Sequence, residues 1–372
     1  MTIRIPPHVA RIAPYVPGTP IESAEREFGL REVVKLASNE NPLGPSPRAV
    51  EAVRGAVARA HRYPDGGGHA LRAALAARHG VPPAQIVLGN GSTELVEVIA
   101  KTFLGAGRGA VTGSPAFIMY RIAVHAMAAP LIEVPLREDR FDLDAIARAC
   151  DPATVLVYLG NPNNPTGTSV TRDALRRFFD RVPSGVLTVL DEAYRDYVEI
   201  PDHPDGLELL RDGRPIVVLR TFSKIYGLAG MRIGYAMAPP EVARAIDAIR
   251  SPFNTSVAAQ AAALAALDDE AHVRRSRSEN ARERRFLEEE LRRRGLRFVP
   301  SVANFLLLHL TLAAPEAYSR LLQQGVIVRP MEAYGYASSI RVSVGTRPEN
   351  LRFLQALDQA LREPPAAAGQ VS

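Results

Sequence analysis

Thr221-Phe222-Ser223-Lys224-Ile225-Tyr226-Gly227 follows directly on the apolar, strand-like run Ile216 to Leu219. Arg232 stands eight residues beyond Lys224, in Gly230-Met231-Arg232-Ile233-Gly234. The chain has 45 basic residues but only three lysines, Lys35, Lys101 and Lys224. A guanidinium stays protonated and forms no imine with an aldehyde, whereas a lysine amine does. Lys35 and Lys101 read as surface lysines. Lys224 lies at a strand end and is trailed by an arginine able to fork onto a phosphate. This arrangement predicts a covalent link to pyridoxal 5′-phosphate.

Working outward from that stretch, strand-like and helix-like segments alternate from about residue 70 to 250. Ile86 to Leu88 ends at Gly-Asn-Gly-Ser-Thr, and Val155 to Leu159 at Gly-Asn-Pro-Asn-Asn-Pro-Thr-Gly. Val186 to Leu190 ends at Asp-Glu-Ala-Tyr, and Ile216 to Leu219 at Arg-Thr-Phe-Ser-Lys. Helical patterns, such as Glu94 to Phe103 and Arg172 to Arg181, lie between them. The alternation predicts an α/β fold with a mostly parallel sheet flanked by helices. The polar, glycine-rich clusters all follow strand C-terminal ends, where open α/β sheets bind ligands.

At 372 residues the chain exceeds a comfortable single core, so two lobes are expected. The larger covers residues 41–248. A smaller α+β lobe combines residues 1–40 with 249–362. It includes the alanine-rich helix Ala258 to Leu267, strands at Phe305 to Leu308, Gly325 to Val328 and Ile340 to Val344, and a closing helix from Leu351 to Leu361. Residues 363–372 read as a disordered tail.

The net charge of +5 raises the question of nucleic acid. Yet the densest basic stretch, Arg282 to Arg294, interleaves Glu283 and Glu288 to Glu290 at i,i+4 spacings, as on a salt-bridged solvent face stopped by Gly295. Nucleic-acid binding is therefore not expected. No apolar run approaches the roughly 20 residues of a membrane span, and Met1 to Pro7 does not resemble a signal peptide. The single cysteine, Cys150, forbids an intramolecular disulfide and argues against a cysteine-built metal site. No metal is expected, and these features fit the cytoplasm.

The cofactor needs an anion beside its ring nitrogen and donors for its phosphate. Asp191, ending a strand, is the candidate carboxylate; its bland reading is a helix N-cap. Tyr194 and Asn164 can hydrogen-bond the ring oxygen, although Asn-Pro is also an ordinary turn. Ser92 and Thr93 open a helix whose N–H groups and dipole suit a phosphate, joined by Ser223 and Arg232. Phe117 can stack on the ring or serve as a core aromatic.

Taken together, these residues bring the chain to a family. It resembles the fold-type I, pyridoxal-phosphate-dependent aminotransferases, and most closely the histidinol-phosphate aminotransferases. The matching runs start at Leu36 (Leu-Ala-Ser-Asn-Glu-Asn-Pro-Leu-Gly), Arg62 (Arg-Tyr-Pro-Asp), Asn90, Asn161, Asp191, Thr221, Val326 and Ile340 (Ile-Arg-Val-Ser-Val-Gly-Thr). They occur in family order over residues 10 to 362. The resemblance implies that Lys224 holds the cofactor, Asp191 pairs with the pyridine nitrogen, Asn164 and Tyr194 hold the ring oxygen, and Ser223 and Arg232 the phosphate. Tyr63 matches a tyrosine that reaches the phosphate from the neighbouring subunit, which implies a homodimer with shared sites. Arg341 matches the arginine that grips the α-carboxylate. Arg329 and Tyr15 match positions at the side-chain end of the substrate. The implied reaction passes an amino group from histidinol phosphate to 2-oxoglutarate, giving imidazole-acetol phosphate and glutamate in histidine biosynthesis.

The chain departs from the family at two places. Phe117 stands where a tyrosine hydroxyl often helps bind the substrate phosphate, a form similar to relatives that favour aromatic amino acids such as phenylalanine and tyrosine. Gly105 to Gly109 lacks a common acidic residue, which reads as a neutral loop change. One rival keeps the fold and changes the reaction, as in phosphothreonine decarboxylases. Another is a pyridoxal-phosphate-binding transcription regulator, for which the roughly 40 residues ahead of the first motif leave too little room.

Overall fold

The computed structural model describes residues 3–362; the tail expected at 363–372 lies outside them. In chain order the strands are β1 (Val34–Lys35), β2 (Ile86–Gly89), β3 (Gly109–Ser114), β4 (Leu131–Pro135), β5 (Thr154–Gly160), β6 (Leu187–Asp191) and β7 (Ile216–Thr221). There follow β8 (Gly234–Met237), β9 (Arg297–Val299), β10 (Phe305–His309), β11 (Val326–Ile327), β12 (Arg329–Pro330) and β13 (Ser339–Ser343).

Seven strands form the main sheet, in the order β2-β8-β7-β6-β5-β3-β4. Strand β8 alone runs antiparallel to its neighbours. Both faces are buried, which explains the near-continuous apolar runs. Val157, Leu159, Leu190, Ile216 and Val218 pack into one layer, and Leu156, Tyr158, Val189, Val217 and Leu219 into the other. The parallel strands β5, β6 and β7 all end along one edge, and Arg232 leads into antiparallel β8 at that same edge. The polar clusters are thereby gathered in one place.

A second sheet, antiparallel and ordered β12-β13-β10-β9, is covered by the helices Glu270–Arg293, Ala314–Gln323 and Arg347–Arg362. The strand expected at Gly325 to Val328 is shortened to Val326–Ile327, and a separate strand follows at Arg329–Pro330. Strand β11 pairs in parallel with β1, and β12 joins β13. This pairing ties the N-terminal segment, which has no core of its own, to the smaller sheet.

The helix Val257–Leu267 differs from the expectation that placed it with the smaller sheet. Its Ala259, Ala262, Ala263 and Leu267 pack into the main sheet's core, against the layer containing Ala49 and Leu71. An alanine-rich helix has no strongly apolar stripe, so its sequence gave no direction of burial. The charged helix also differs in part. Arg284, Arg292 and Arg294 form the expected i,i+4 pairs, while Arg285 reaches Glu199 at 3.6 Å. Glu283 is fully buried, not solvent-facing, and accepts from Arg347 at 2.9 Å and Asn350 at 3.0 Å. Gly295 closes the helix with φ +68°. Among the described residues, no helix is long and apolar enough to cross a membrane.

Candidate active site

The edge where the polar clusters meet encloses a cavity of about 380 Å³, lined from both sheets. Strand β7 delivers Lys224, whose Nζ donates to the Ser38 carbonyl at 3.2 Å and lies 5.5 Å from the Tyr194 ring centroid. Burial is the main force holding this amine down to about 8, and the cationic Arg341 and Arg232 add to it against Glu40.

Strand β6 delivers Asp191, 6% exposed. Burial pushes its carboxyl up to about 6, although Tyr120 Oη donates to it at 3.0 Å and the Ala193 amide at 3.1 Å. No cation salt-bridges it among the described residues. A buried carboxylate without a counterion suits a protonated ring nitrogen, so the residues fit the cofactor at this point. Glu192, next in sequence, turns away from the cavity. It accepts from Arg220 Nε at 2.9 Å, and Arg220 also reaches Asp205 at 2.9 Å. This buried pair ties the ends of β6 and β7 together.

The anion cradle forms where β2 turns into the helix Gly91–Phe103. Asn90 makes no side-chain cap, so the first-turn N–H groups keep free donor capacity. Gly91 has φ +78°, and a Cβ there would stand 2.4 Å from Arg232 Nη2. Glycine thus lets the guanidinium lie against the helix start. Arg232 Nη1 donates to Ser223 Oγ at 3.3 Å, and Ser92, Thr93 and Ser223 line the same cavity. The cluster has positive charge, a helix N-terminus and hydroxyls, which is the chemistry a phosphate needs.

The substrate end is built on the smaller sheet. Arg329 and Arg341 are direct cross-strand partners on β12 and β13. Arg341 Nη1 donates to Asn164 Oδ1 at 2.5 Å and Nη2 to the Ala37 carbonyl at 2.7 Å, while its Nε is buried without a partner. Arg329 stacks over Tyr15 at 5.2 Å and donates to the Val16 carbonyl at 2.6 Å. Like charges directly opposite across a sheet are destabilising. Phe117 lines the cavity and meets Tyr120 edge-on at 5.6 Å.

The candidates from the sequence thus line one cavity, with one exception. Tyr63 is 82% exposed, stacked on Phe253 at 4.7 Å and outside the cavity of this chain. Sequence reasoning assigned no role to Tyr120 or Asn39. Tyr120 lies in the apolar stretch Ile118–Ala126, where nothing in the pattern sets its hydroxyl apart. Asn39 lies in a quoted motif, but its φ of +54° and its donation to Tyr194 Oη at 3.0 Å are tertiary facts. Among the described residues, no group of three or more His, Cys, Asp or Glu could hold a metal ion.

Residues 31–357 match the aminotransferase class I and II family, and the chain belongs to it as a pyridoxal-phosphate-dependent aminotransferase of the fold-type I architecture. Two relatives, both histidinol-phosphate aminotransferases, narrow the comparison. That of Anaeromyxobacter sp. (strain Fw109-5) is 49% identical over 96% of this chain and 99% of its own length. That of Moorella thermoacetica is 47% identical over 95% and 92%. Among solved structures, the histidinol-phosphate aminotransferase of Sinorhizobium meliloti in complex with pyridoxal-5′-phosphate superposes with a TM-score of 0.89 at 32% identity, over 97% of this chain and 98% of that one.

Proposed function

We propose that this enzyme transfers the amino group of histidinol phosphate to 2-oxoglutarate, forming imidazole-acetol phosphate and glutamate, within cytoplasmic histidine biosynthesis. The observation that carries the reading is the cross-strand pair of Arg329 and Arg341. Two unneutralised guanidiniums facing each other cost stability unless an anion joins them. Histidinol phosphate has no α-carboxylate, and glutamate has two carboxylates. A pocket that serves both in turn needs two cationic forks whose occupants can differ. The likeness to enzymes named for this reaction supports the same choice.

In this reading Lys224 holds the cofactor covalently. Asp191 balances the protonated ring nitrogen, Asn164 and Tyr194 hold the ring oxygen, and Ser92, Thr93, Ser223 and Arg232 hold the phosphate, with Phe117 against the ring. The bound group supplies an electron sink for the substrate's amine-bearing carbon. The Lys224 amine, kept near 8, is the base the cavity offers for the proton on that carbon. Arg341 takes an α-carboxylate when one is present, and Arg329 with Tyr15 takes the anion at the side-chain end. The exposure of Tyr63 supports placing it in the phosphate site of a second copy, making the enzyme a homodimer. We assign residues 41–248, together with the helix Val257–Leu267, to the larger lobe, and the N-terminal 40 residues with the rest up to 362 to the smaller.

Phe117, which has no hydroxyl, favours a second reading as an aromatic amino-acid aminotransferase. Purified enzyme given 2-oxoglutarate and either histidinol phosphate, histidinol or phenylalanine separates the two. Histidinol phosphate is expected to be turned over fastest, and Arg329→Ala to reduce kcat/KM for it far more than for phenylalanine. Robust turnover of phenylalanine with none of histidinol phosphate would sink the proposal, and carbon dioxide release in place of 2-oxoacid consumption would point to a decarboxylase.

A further inference from the structure

Tyr334 ends a short 3₁₀ turn, Glu332–Tyr334, just after β12. Its ring packs with Met331, Leu307 and Val299, and its backbone N–H donates to the Met331 carbonyl at 3.0 Å. The residue is 9% exposed, and what it exposes lines the same cavity as Arg329 and Arg341. Its hydroxyl has no hydrogen-bond partner among the described residues. The other tyrosines that project toward this cavity from the protein core are engaged, Tyr194 by Asn39 and Tyr120 by Asp191. Tyr334, Arg329 and Arg341 line the same cavity, and burial pushes the Tyr334 phenol up while Arg341 and Arg329 pull it back. It is therefore held as a neutral donor beside two cations.

The Tyr334 hydroxyl thus has a donor without a protein partner at the cavity wall, and an acceptor arriving from the ligand can take it. Phe117, on the main sheet's side of the cavity, has no hydroxyl to offer. We propose that Tyr334 Oη is a third ligand, with Arg329 and Tyr15, to the anion at the side-chain end of the substrate, and that it sets the preference for a phosphorylated donor. This deepens the proposed function and rests on it.

Tyr334→Phe removes only the oxygen and keeps the ring in its apolar cluster. The holoenzyme, whose own cofactor phosphate fills the cradle at Gly91, is titrated calorimetrically with inorganic phosphate and with histidinol phosphate, and its turnover of histidinol is measured in parallel. Loss of one hydrogen bond to a charged group predicts about ten- to a hundredfold weaker binding of inorganic phosphate and histidinol phosphate, with histidinol turnover at saturating 2-oxoglutarate within about twofold. Equal affinity of mutant and wild type, or an equal loss for histidinol, would overturn the role of Tyr334 and leave the proposed function standing. Failure of the wild-type holoenzyme to bind histidinol phosphate would overturn the proposed function, and this inference with it.

Discussion

Asp191 is placed for catalysis at the expense of stability, and the size of that conflict can be worked out. Before the cofactor binds, its carboxyl titrates near 6 in the fold against an ordinary 3.8, because burial outweighs the donors from Tyr120 and Ala193. Ionising it in the folded chain is unfavourable by about two pK units, or about 3 kcal/mol. Because the folded value lies above the unfolded one, stability is intact below about pH 4 and declines until about pH 6. Asp191→Asn abolishes the titration. The amide cannot accept from both Tyr120 Oη and the Ala193 N–H, which returns about 1 kcal/mol as a mismatched donor. The cofactor-free Asp191→Asn chain should therefore be about 2 kcal/mol more stable than wild type at pH 7.5. That advantage should vanish, or reverse slightly, near pH 4. Urea unfolding of both apo chains across this range measures it. With cofactor bound the order reverses, and the transamination rate should fall by about two to three powers of ten. An apo mutant no more stable than wild type at pH 7.5, or a stability gap that does not change with pH, would refute the reasoning.

Borohydride reduction of the holoenzyme should fix the cofactor on the peptide containing Lys224, and Lys224→Ala should take up no label; recovery of label on Lys35 or Lys101 would exclude the assignment. Mixed dimers of Lys224→Ala and Tyr63→Ala chains should regain activity that neither chain has alone, because one of the two sites then has both residues intact. No recovery in well-mixed dimers would place Tyr63 outside the partner's site.

The main sheet was legible where the chemistry requires legibility. Val155 to Leu159, Val186 to Leu190 and Ile216 to Leu219 are apolar because β5, β6 and β7 are covered on both faces, and each is cut off by a polar cluster at the cavity edge. Strand β3 was not legible. Gly109-Ala-Val-Thr-Gly-Ser114 has little β-forming side-chain signal, and at Gly113 a Cβ would stand 2.1 Å from the Phe141 ring, a packing constraint invisible to pattern. Strand β8 has only four residues, and its antiparallel insertion between β7 and β2 depends in part on β2, which is distant in sequence. Within the site, Lys224, Asp191 and Arg232 could be read because each is a chemical type that its position makes unusual. Tyr120 and Tyr334 could not, since an aromatic among apolar neighbours looks like core until its hydroxyl is located. The direction of the helix Val257–Leu267 was lost for the opposite reason, because alanine on every side marks no face.

The pairing of β1 with β11 and the hold of Arg341 on the Ala37 carbonyl have a consequence for synthesis of the protein. Lys224, Asp191 and the phosphate cradle emerge from the ribosome well before the smaller sheet does. The segment that contacts the Lys224 amine, around Ser38, is translated early and finds Tyr194, Lys224 and Ile225 first, but must wait for Val326 and Arg341 before its pairing is complete. Such distant pairings are slow to close. Complete enclosure of the cofactor is therefore a test that only a chain extending through Arg341 passes. Truncated or frameshifted products retain the lysine and lack the enclosure, so added cofactor should rescue finished chains from proteolysis and leave incomplete ones exposed.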